Sequence, residues 1–300
     1  MHFGALTAGS IITNELPGGR FGENVLSLYV AKWVACHYNL PFQFTPFEYS
    51  DQLMLHDLEE QIDATVPRIP TFLTEDSAAV EILKHINFVY QINYFTNHFK
   101  EWDTPTGGQL LKEEDPAFIA DIRRIMQPRF PVRKLELPAD AITVAVHVRK
   151  GGGFDSLVLT TGVSDFREMN LYADYRFPLK FPPDQFYIDQ IQYIADMFRD
   201  RDIYVYLFTD DKNPAVIAAT YAAALNDNPR ITFGYRKADN AHDTNVVEDF
   251  FAMTQFDCLI RADSNLSKAV QLLHDFKIVI YPRKVTWDRI RVTEVGIDVR

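Results

Sequence analysis

Residues 142–148, ITVAVHV, limit the possible folds more than any other segment. Thr143, Val144, Ala145, Val146 and Val148 form a β-branched, apolar run, the pattern of a central strand in a parallel sheet. The sequence that follows alternates regularly. It predicts a long loop, helix 184–199, strand 203–209, helix 214–225, strand 230–233, helix 246–255, strand 257–260, helix 265–275 and strand 277–281. Strand and helix in strict alternation specify an α/β architecture with a doubly wound parallel sheet.

The first half alternates less cleanly. Strands are predicted over 3–8, 42–45, 68–73 and 88–92, and helices over 52–62, 78–86 and 116–126. Between them, Val25, Leu26, Leu28, Tyr29, Trp33 and Val34 recur at helical spacing until Pro41 ends the pattern. The proline-bearing stretch 128–138 (PRFPVRKLELP) is the linker candidate. At 300 residues the chain has length for two domains, 1–138 and 139–300, facing across a cleft suited to a nucleotide and a second substrate.

The net charge of −11 argues against nucleic acid or an anionic membrane as the main partner, so any phosphate site must be a local basic pocket. No segment has the length of a transmembrane helix, and the first residues do not read as a secretory signal. Cys36 and Cys258 lie in apolar surroundings and read as buried thiols of a reducing, cytoplasmic compartment.

Four segments carry the candidate chemistry. His147 and Arg149 end the central strand, at the sheet edge where ligands bind in open α/β folds, and Lys150 and Gly151 open a glycine loop. Arg149 offers a donor fork suited to phosphate oxygens, and the glycines let backbone N–H groups approach an anion. The alternative is a surface arginine before a turn. Phe154 to Pro183 follow, long enough for a binding loop and rich in aromatics that suit a sugar or peptide, or a satellite core. Gly18 to Asn24 (GGRFGEN) place a glycine turn before a helix, an anion-friendly arrangement, but a Glu23 that serves the helix dipole is the preferred reading of these residues. Thr209, Asp210 and Asp211 end the strand YVYLFT; the carboxylates suit a metal or a helix cap, and the cap is preferred. Asp200 and Asp202 form an Asp-x-Asp triplet that precedes its strand and falls at the wrong edge. Asp263, Ser264, Asn265 and Ser267 form a second loop-to-helix junction, open to phosphate binding or ordinary capping. No metal-ligand spacing, Walker lysine, dinucleotide fingerprint or nucleophile elbow is present.

In their order along the chain these motifs resemble the fucosyltransferase superfamily. GGRFGEN resembles its G-R-F/L-G-N-Q loop, VHVRKG its H-x-R-x-G segment, and VYLFTDD its following strand. FFAMTQFDCLIRADSNLSKAVQLL is similar to its last motif. The resemblance spans most of 18–275, takes in the α-1,2-, α-1,6-, protein O- and bacterial nodulation enzymes, and singles out none. It implies a GT-B fold of two Rossmann-like domains, with residues 1–138 on the acceptor side and 139–300 binding the nucleotide sugar. It further implies inverting, metal-independent transfer from GDP-fucose, with no other cofactor, to an oligosaccharide, glycolipid or peptide hydroxyl.

By that resemblance His147 lies near guanine, Arg149 and Lys150 meet the phosphates, Asp257 contacts guanine, and Ser264 to Ser267 approach the phosphates. Arg20, Phe21, Gly22, Asn24, Gly151, Thr209, Asp210 and Asn265 complete the expected binding set. Two departures stand out: Glu23 replaces the common asparagine, and Gly152 and Gly153 replace an Asp-Lys pair, so the acid–base arrangement of core-fucosylating enzymes does not carry over. The expected catalysts are Arg149 for the departing phosphate and Glu23 for the acceptor proton, with Asp155 in reserve. Competing readings are a glycosyltransferase with another nucleotide-sugar donor and a nucleotide-sugar-binding protein without catalysis.

Overall fold

The computed structural model describes residues 9–71, 87–92, 116–150, 179–226, 228–238, 240, 244–285 and 291–300. The chain divides into two compact units, Met1–Pro131 and Val132–Arg300.

The first unit contains β1 (Ile11–Asn14), α1 (Phe21–His37), a 3-10 turn (Ser50–Gln52), α2 (Leu55–Leu58), β2 (Arg68–Thr71), β3 (Val89–Ile92) and α3 (Pro116–Ile125). Its described strands are parallel in the order β1-β3-β2. α1 is buried on nearly every side from Phe21 to Ala35, which fits a helix with no polar stripe. Lys32 is the charged exception. Its ammonium lies 2.8 Å from Glu59 and 3.2 Å from Asp121, and over the Phe42 ring. Burial opposes the lysine's charge, but the two carboxylates more than offset it and hold the pKa above its ordinary value.

Here the sequence reading needs correction. The predicted strand 3–8 and helix 78–86 lie outside the described residues, and the strand at Ile11–Asn14 was not read from the sequence. Phe42 and Phe44 form only isolated bridges, to Ile12 and Gln61. The predicted helix 52–62 is reduced to the 3-10 turn and the single turn α2. The chain turns extended at Glu59 because its backbone is used elsewhere: Phe44 donates to the Glu60 carbonyl, and Ile62 to that of Phe44.

The second unit follows the prediction closely. It runs β4 (Ile142–Val148), α4 (Asp184–Met197), β5 (Ile203–Thr209), α5 (Pro214–Ala224), β6 (Ile231–Tyr235), α6 (Val246–Met253), β7 (Cys258–Arg261), α7 (Asn265–Leu273), β8 (Ile278–Val285) and β9 (Val292–Val299). The sheet order is β6-β5-β4-β7-β8-β9; β9, not read from the sequence, adds to β8 antiparallel, and the other pairings are parallel. β4 is central and buried at all seven positions. Val144, Val146 and Val148 pack with Ile191 of α4 and Tyr221 of α5. Each such aliphatic burial contributes about 1.5–3 kcal/mol. Right-handed crossovers place α4 and α5 on this face and α6 and α7 on the other, where Tyr206 and Phe208 meet Phe256.

The order also fixes a switch point. From β4 the chain builds outward to β5 and β6, then returns to lay β7 on the other side of β4. The crevice of such a sheet opens at the carboxyl ends of the two strands flanking the reversal, here β4 and β7. Both cysteines are free; Cys258 is buried, and burial pushes its thiol up to about 12. Cys36 is exposed near the end of α1, correcting its assignment as a buried thiol. Among the described residues no helix is long and apolar enough to cross a membrane.

Candidate functional site

The loops after β4 and β7 bring a group of charged and polar side chains to the switch point. Strand polarity decides which residues reach it. His147 is the sixth residue of β4 and pairs in register with Arg261 of β7, and its carbonyl accepts the Ala262 N–H at 3.4 Å. Arg149 follows the strand and is only 9% exposed. Its Nε lies 3.2 Å from an Asp210 carboxylate oxygen, and its guanidinium faces the Phe181 ring.

The Asp210 side chain is only 7% exposed and does two jobs. Its second oxygen accepts the Lys150 N–H at 2.8 Å, fixing the backbone where the glycine loop begins. The Lys150 ammonium reaches Asp184 of α4 at 2.5 Å, and the Tyr221 hydroxyl donates to the same oxygen at 2.6 Å. Burial, reinforced by the Asp184 charge, pushes the Tyr221 hydroxyl far above the ordinary phenol value and keeps it a neutral donor. Two cations and two carboxylates therefore interlock at one strand end. Such a network orients donors in a low-dielectric setting.

The cap assignment divides between neighbours. Asp211 forms the turn into α5, accepting the Asn213 N–H at 2.6 Å, while Asp210 turns to Arg149 and Lys150. Thr209 shapes the same turn, its hydroxyl accepting the Asp211 N–H at 3.2 Å.

Across the switch point, Ser264 is the residue before α7 with extended backbone, but its hydroxyl makes no capping bond, contrary to the capping alternative. Ser267 is buried and donates to the Ser264 carbonyl at 3.2 Å. Asn265 is the first residue of α7. Asp263 forms an ion pair with the buried Lys268.

Asp257 is not part of this group. It precedes β7, accepts the N–H and hydroxyl of Thr143 at 3.0 and 2.9 Å, and pairs with Lys277 at 2.7 Å. Thr143 stands at the amino end of β4, roughly 13 Å along the strand from His147. Asp257, expected from the sequence at guanine, thus forms a lock between β4 and β7 at the amino edge of the sheet. Asp200 and Asp202 also lie at that edge, before β5, and Ile142 donates to the Asp202 carbonyl.

In the first unit, the 18–24 loop is held by α1. Gly18 takes φ +82°, which favours glycine, and the Glu23 carboxylate lies over Gly19, where a Cβ would overlap it. Asn24 donates to the Gly19 carbonyl at 3.3 Å. Phe21 packs against Phe47 and Tyr49 inside the unit, and Gly22 is buried beside it. The side chains of Phe21 and Asn24, expected from the sequence to bind substrate, also shape the turn. Arg20 is the residue before α1. Gly151, Asp155 and the aromatics Phe166, Tyr172, Tyr175 and Phe177 lie outside the described residues.

Sequence reasoning missed Asp184, Tyr221 and Arg261. Asp184 opens a helix after Pro182 and Pro183 and Tyr221 lies in an apolar helix, so neither stands out in the sequence. Arg261 sat in a strand end, IRAD, overshadowed by the polar run after it. Among the described residues no group of three or more His, Cys, Asp or Glu side chains could hold a metal ion.

No protein-family model matches the sequence, and no curated protein matches it. Solved structures do. A mutant of Arabidopsis thaliana FUT1 in complex with GDP matches with TM-score 0.50 at 11% identity, over 93% of this chain and 72% of that one. POFUT1 in complex with GDP-fucose matches with TM-score 0.45 at 14% identity, over 89% and 94% of the two chains. The NodZ α-1,6-fucosyltransferase, co-crystallised with GDP, matches with TM-score 0.41 at 10% identity, over 97% of each. The chain has a fucosyltransferase-like fold of the GT-B class.

Proposed function

We propose that this protein is a glycosyltransferase that moves fucose from GDP-fucose to a hydroxyl of a glycan or peptide, with inversion and without a metal. The observation that carries the reading is Arg149, buried at the carboxyl end of the central strand and oriented by Asp210 at 3.2 Å. It stands at the switch point of a fold whose solved relative FUT1 holds GDP.

The chemistry is a single displacement. The acceptor oxygen bonds to the anomeric carbon, the bond from that carbon to the β-phosphate oxygen breaks, and the electron pair leaves with GDP. Charge accumulates on the departing phosphate, and a preorganised guanidinium in a dry site stabilises it more than water does. Asp210 engages Nε, and the guanidinium carries five N–H donors in all. Lys150, held by Asp184, adds a second cation to the same end. His147 and the Ser264–Ser267 loop complete the nucleotide side. The base expected from the sequence for the acceptor proton is Glu23, with Asp155 as the alternative.

Incubation with GDP-fucose in chelator, following fucose release to water and to a panel of glycan and peptide acceptors, tests this directly. Metal-independent turnover that Glu23→Gln depresses while GDP affinity is retained is the expected result. Tight GDP-fucose binding with neither transfer nor hydrolysis would replace the enzyme with a binding protein. Turnover of a different nucleotide sugar would replace the donor.

A further inference from the structure

α5 buries four residues, Pro214, Ile217, Ala218 and Tyr221, and only the last carries a polar side-chain atom. Tyr221 is fully buried, with its ring stacked on that of Tyr187 at 6.2 Å and 19°. A phenylalanine would make the same ring contacts, and a buried hydroxyl is costly unless it is bonded. Side chains lean toward the amino end of their helix. For α5 that end lies at the carboxyl edge of the sheet, just after β5. There the hydroxyl donates to a carboxylate oxygen of Asp184 at 2.6 Å.

Asp184 opens α4, where the helix amino end favours a carboxylate. Its side chain is 42% exposed, so several rotamers are open to it. The Tyr221 hydroxyl, fixed by the core around its ring, selects one of them. The same carboxylate oxygen receives the Lys150 ammonium at 2.5 Å. Lys150 is thereby held at both ends, its N–H by Asp210 at 2.8 Å and its ammonium by Asp184. Asp184 engages one of the three N–H donors of that ammonium. A lysine side chain loses much rotamer freedom when it is fixed, and fixing it beforehand removes that loss from ligand binding.

We infer that Tyr221 is a positioning residue for phosphate binding: from inside the core it sets the Asp184 carboxylate, and through Asp184 it presents the Lys150 ammonium at the carboxyl end of β4. This deepens the nucleotide-sugar reading and rests on it, the phosphate being that of the donor. The two cations are then oriented by separate devices. Asp210 engages the Arg149 guanidinium directly, whereas the Lys150 ammonium is set by a relay that begins on α5.

Tyr221→Phe removes one oxygen and keeps the ring. Water reaches the exposed side of Asp184 and takes the vacated place, so the variant retains the fold. The test is a double-mutant cycle of wild type, Tyr221→Phe, Lys150→Met and the double variant. Each protein is titrated calorimetrically with inorganic pyrophosphate, GDP and guanosine, and unfolded thermally on its own. Tyr221→Phe is expected to weaken pyrophosphate and GDP binding by about three- to tenfold, the scale of restored lysine rotamer freedom, and to leave guanosine unchanged. Lys150→Met is expected to weaken pyrophosphate by about tenfold or more. In that background Tyr221→Phe changes pyrophosphate affinity by less than about 1.5-fold, because the group it positions is gone. A hydroxyl that serves only the fold would lower Tm alike in both backgrounds and move neither affinity. Unchanged pyrophosphate affinity in Tyr221→Phe or in Lys150→Met overturns the inference. So does an equal Tyr221→Phe loss in both backgrounds, or a matching loss for guanosine; in each case GDP binding by the wild type leaves the nucleotide reading intact. Absence of GDP and pyrophosphate binding by the wild type overturns both.

Discussion

The two edges of the six-stranded sheet hold similar residues in different arrangements. At the amino edge Asp257 is saturated: the Thr143 backbone and hydroxyl occupy one oxygen and Lys277 the other. It joins β4 to β7, and nothing about it requires a ligand. At the carboxyl edge Asp210 also binds a neighbouring strand's loop, but its partner is Arg149, a group with donors beyond the one it engages. A carboxylate that closes its own hydrogen bonds supports the fold. One that orients a multi-donor cation at the switch point prepares a site. Chain direction, not residue type, separates the two cases.

Removing the cation at the carboxyl edge has the largest effect. Arg149→Ala is expected to lower fucosyl turnover by about 100- to 1,000-fold, the usual scale for losing one transition-state donor. A steady-state assay with GDP-fucose checks it. Next comes Asp210→Ala, which takes the orienting carboxylate away from buried Arg149. Urea unfolding should record a loss of about 3–5 kcal/mol, with turnover lowered by an order of magnitude.

At the amino edge the expectation reverses. Asp257→Ala should cost about 1–3 kcal/mol in urea unfolding, because it orphans Thr143, and should leave GDP affinity within about twofold. A tenfold loss of affinity would erase the contrast between the edges. Acid sharpens it further. Burial opposes ionisation of Asp257, but Lys277 and the Thr143 bonds together hold its carboxyl below the ordinary value. A carboxyl depressed in the folded state stabilises above its unfolded pKa and loses that contribution as pH falls through the folded one. The gap in stability between wild type and Asp257→Ala should therefore be constant above about pH 5 and close progressively below about pH 4. The smallest effect is that of Lys277→Met, an exposed partner worth about 0–1 kcal/mol, seen only as a slight shift in the same urea curves.

The second unit was largely legible from sequence because its strands are buried on both faces. β4 and β5 read as largely apolar runs, and their ends match the predicted 142–148 and 203–209. The first unit was less legible, because its short elements depend on partners distant in sequence. Phe44 recruits the backbone of Glu60 and Ile62, and a helix pattern gives way to extended chain. β9 was available as alternation in VTEVGIDV, an edge strand too polar to stand out beside the core runs. Within the site, Arg149 followed from its place after a buried strand. A motif in the right order does not say which strand edge an aspartate flanks; β7 begins one residue after Asp257.

The most direct test of the central claim is metal-free calorimetric titration of wild type and Arg149→Ala with GDP, using UDP and ADP as controls. Selective GDP binding by the wild type that weakens by about 100-fold or more in the variant is the predicted result. Equal affinity in the two proteins, or no preference for GDP, would contradict a nucleotide site built on the carboxyl end of β4.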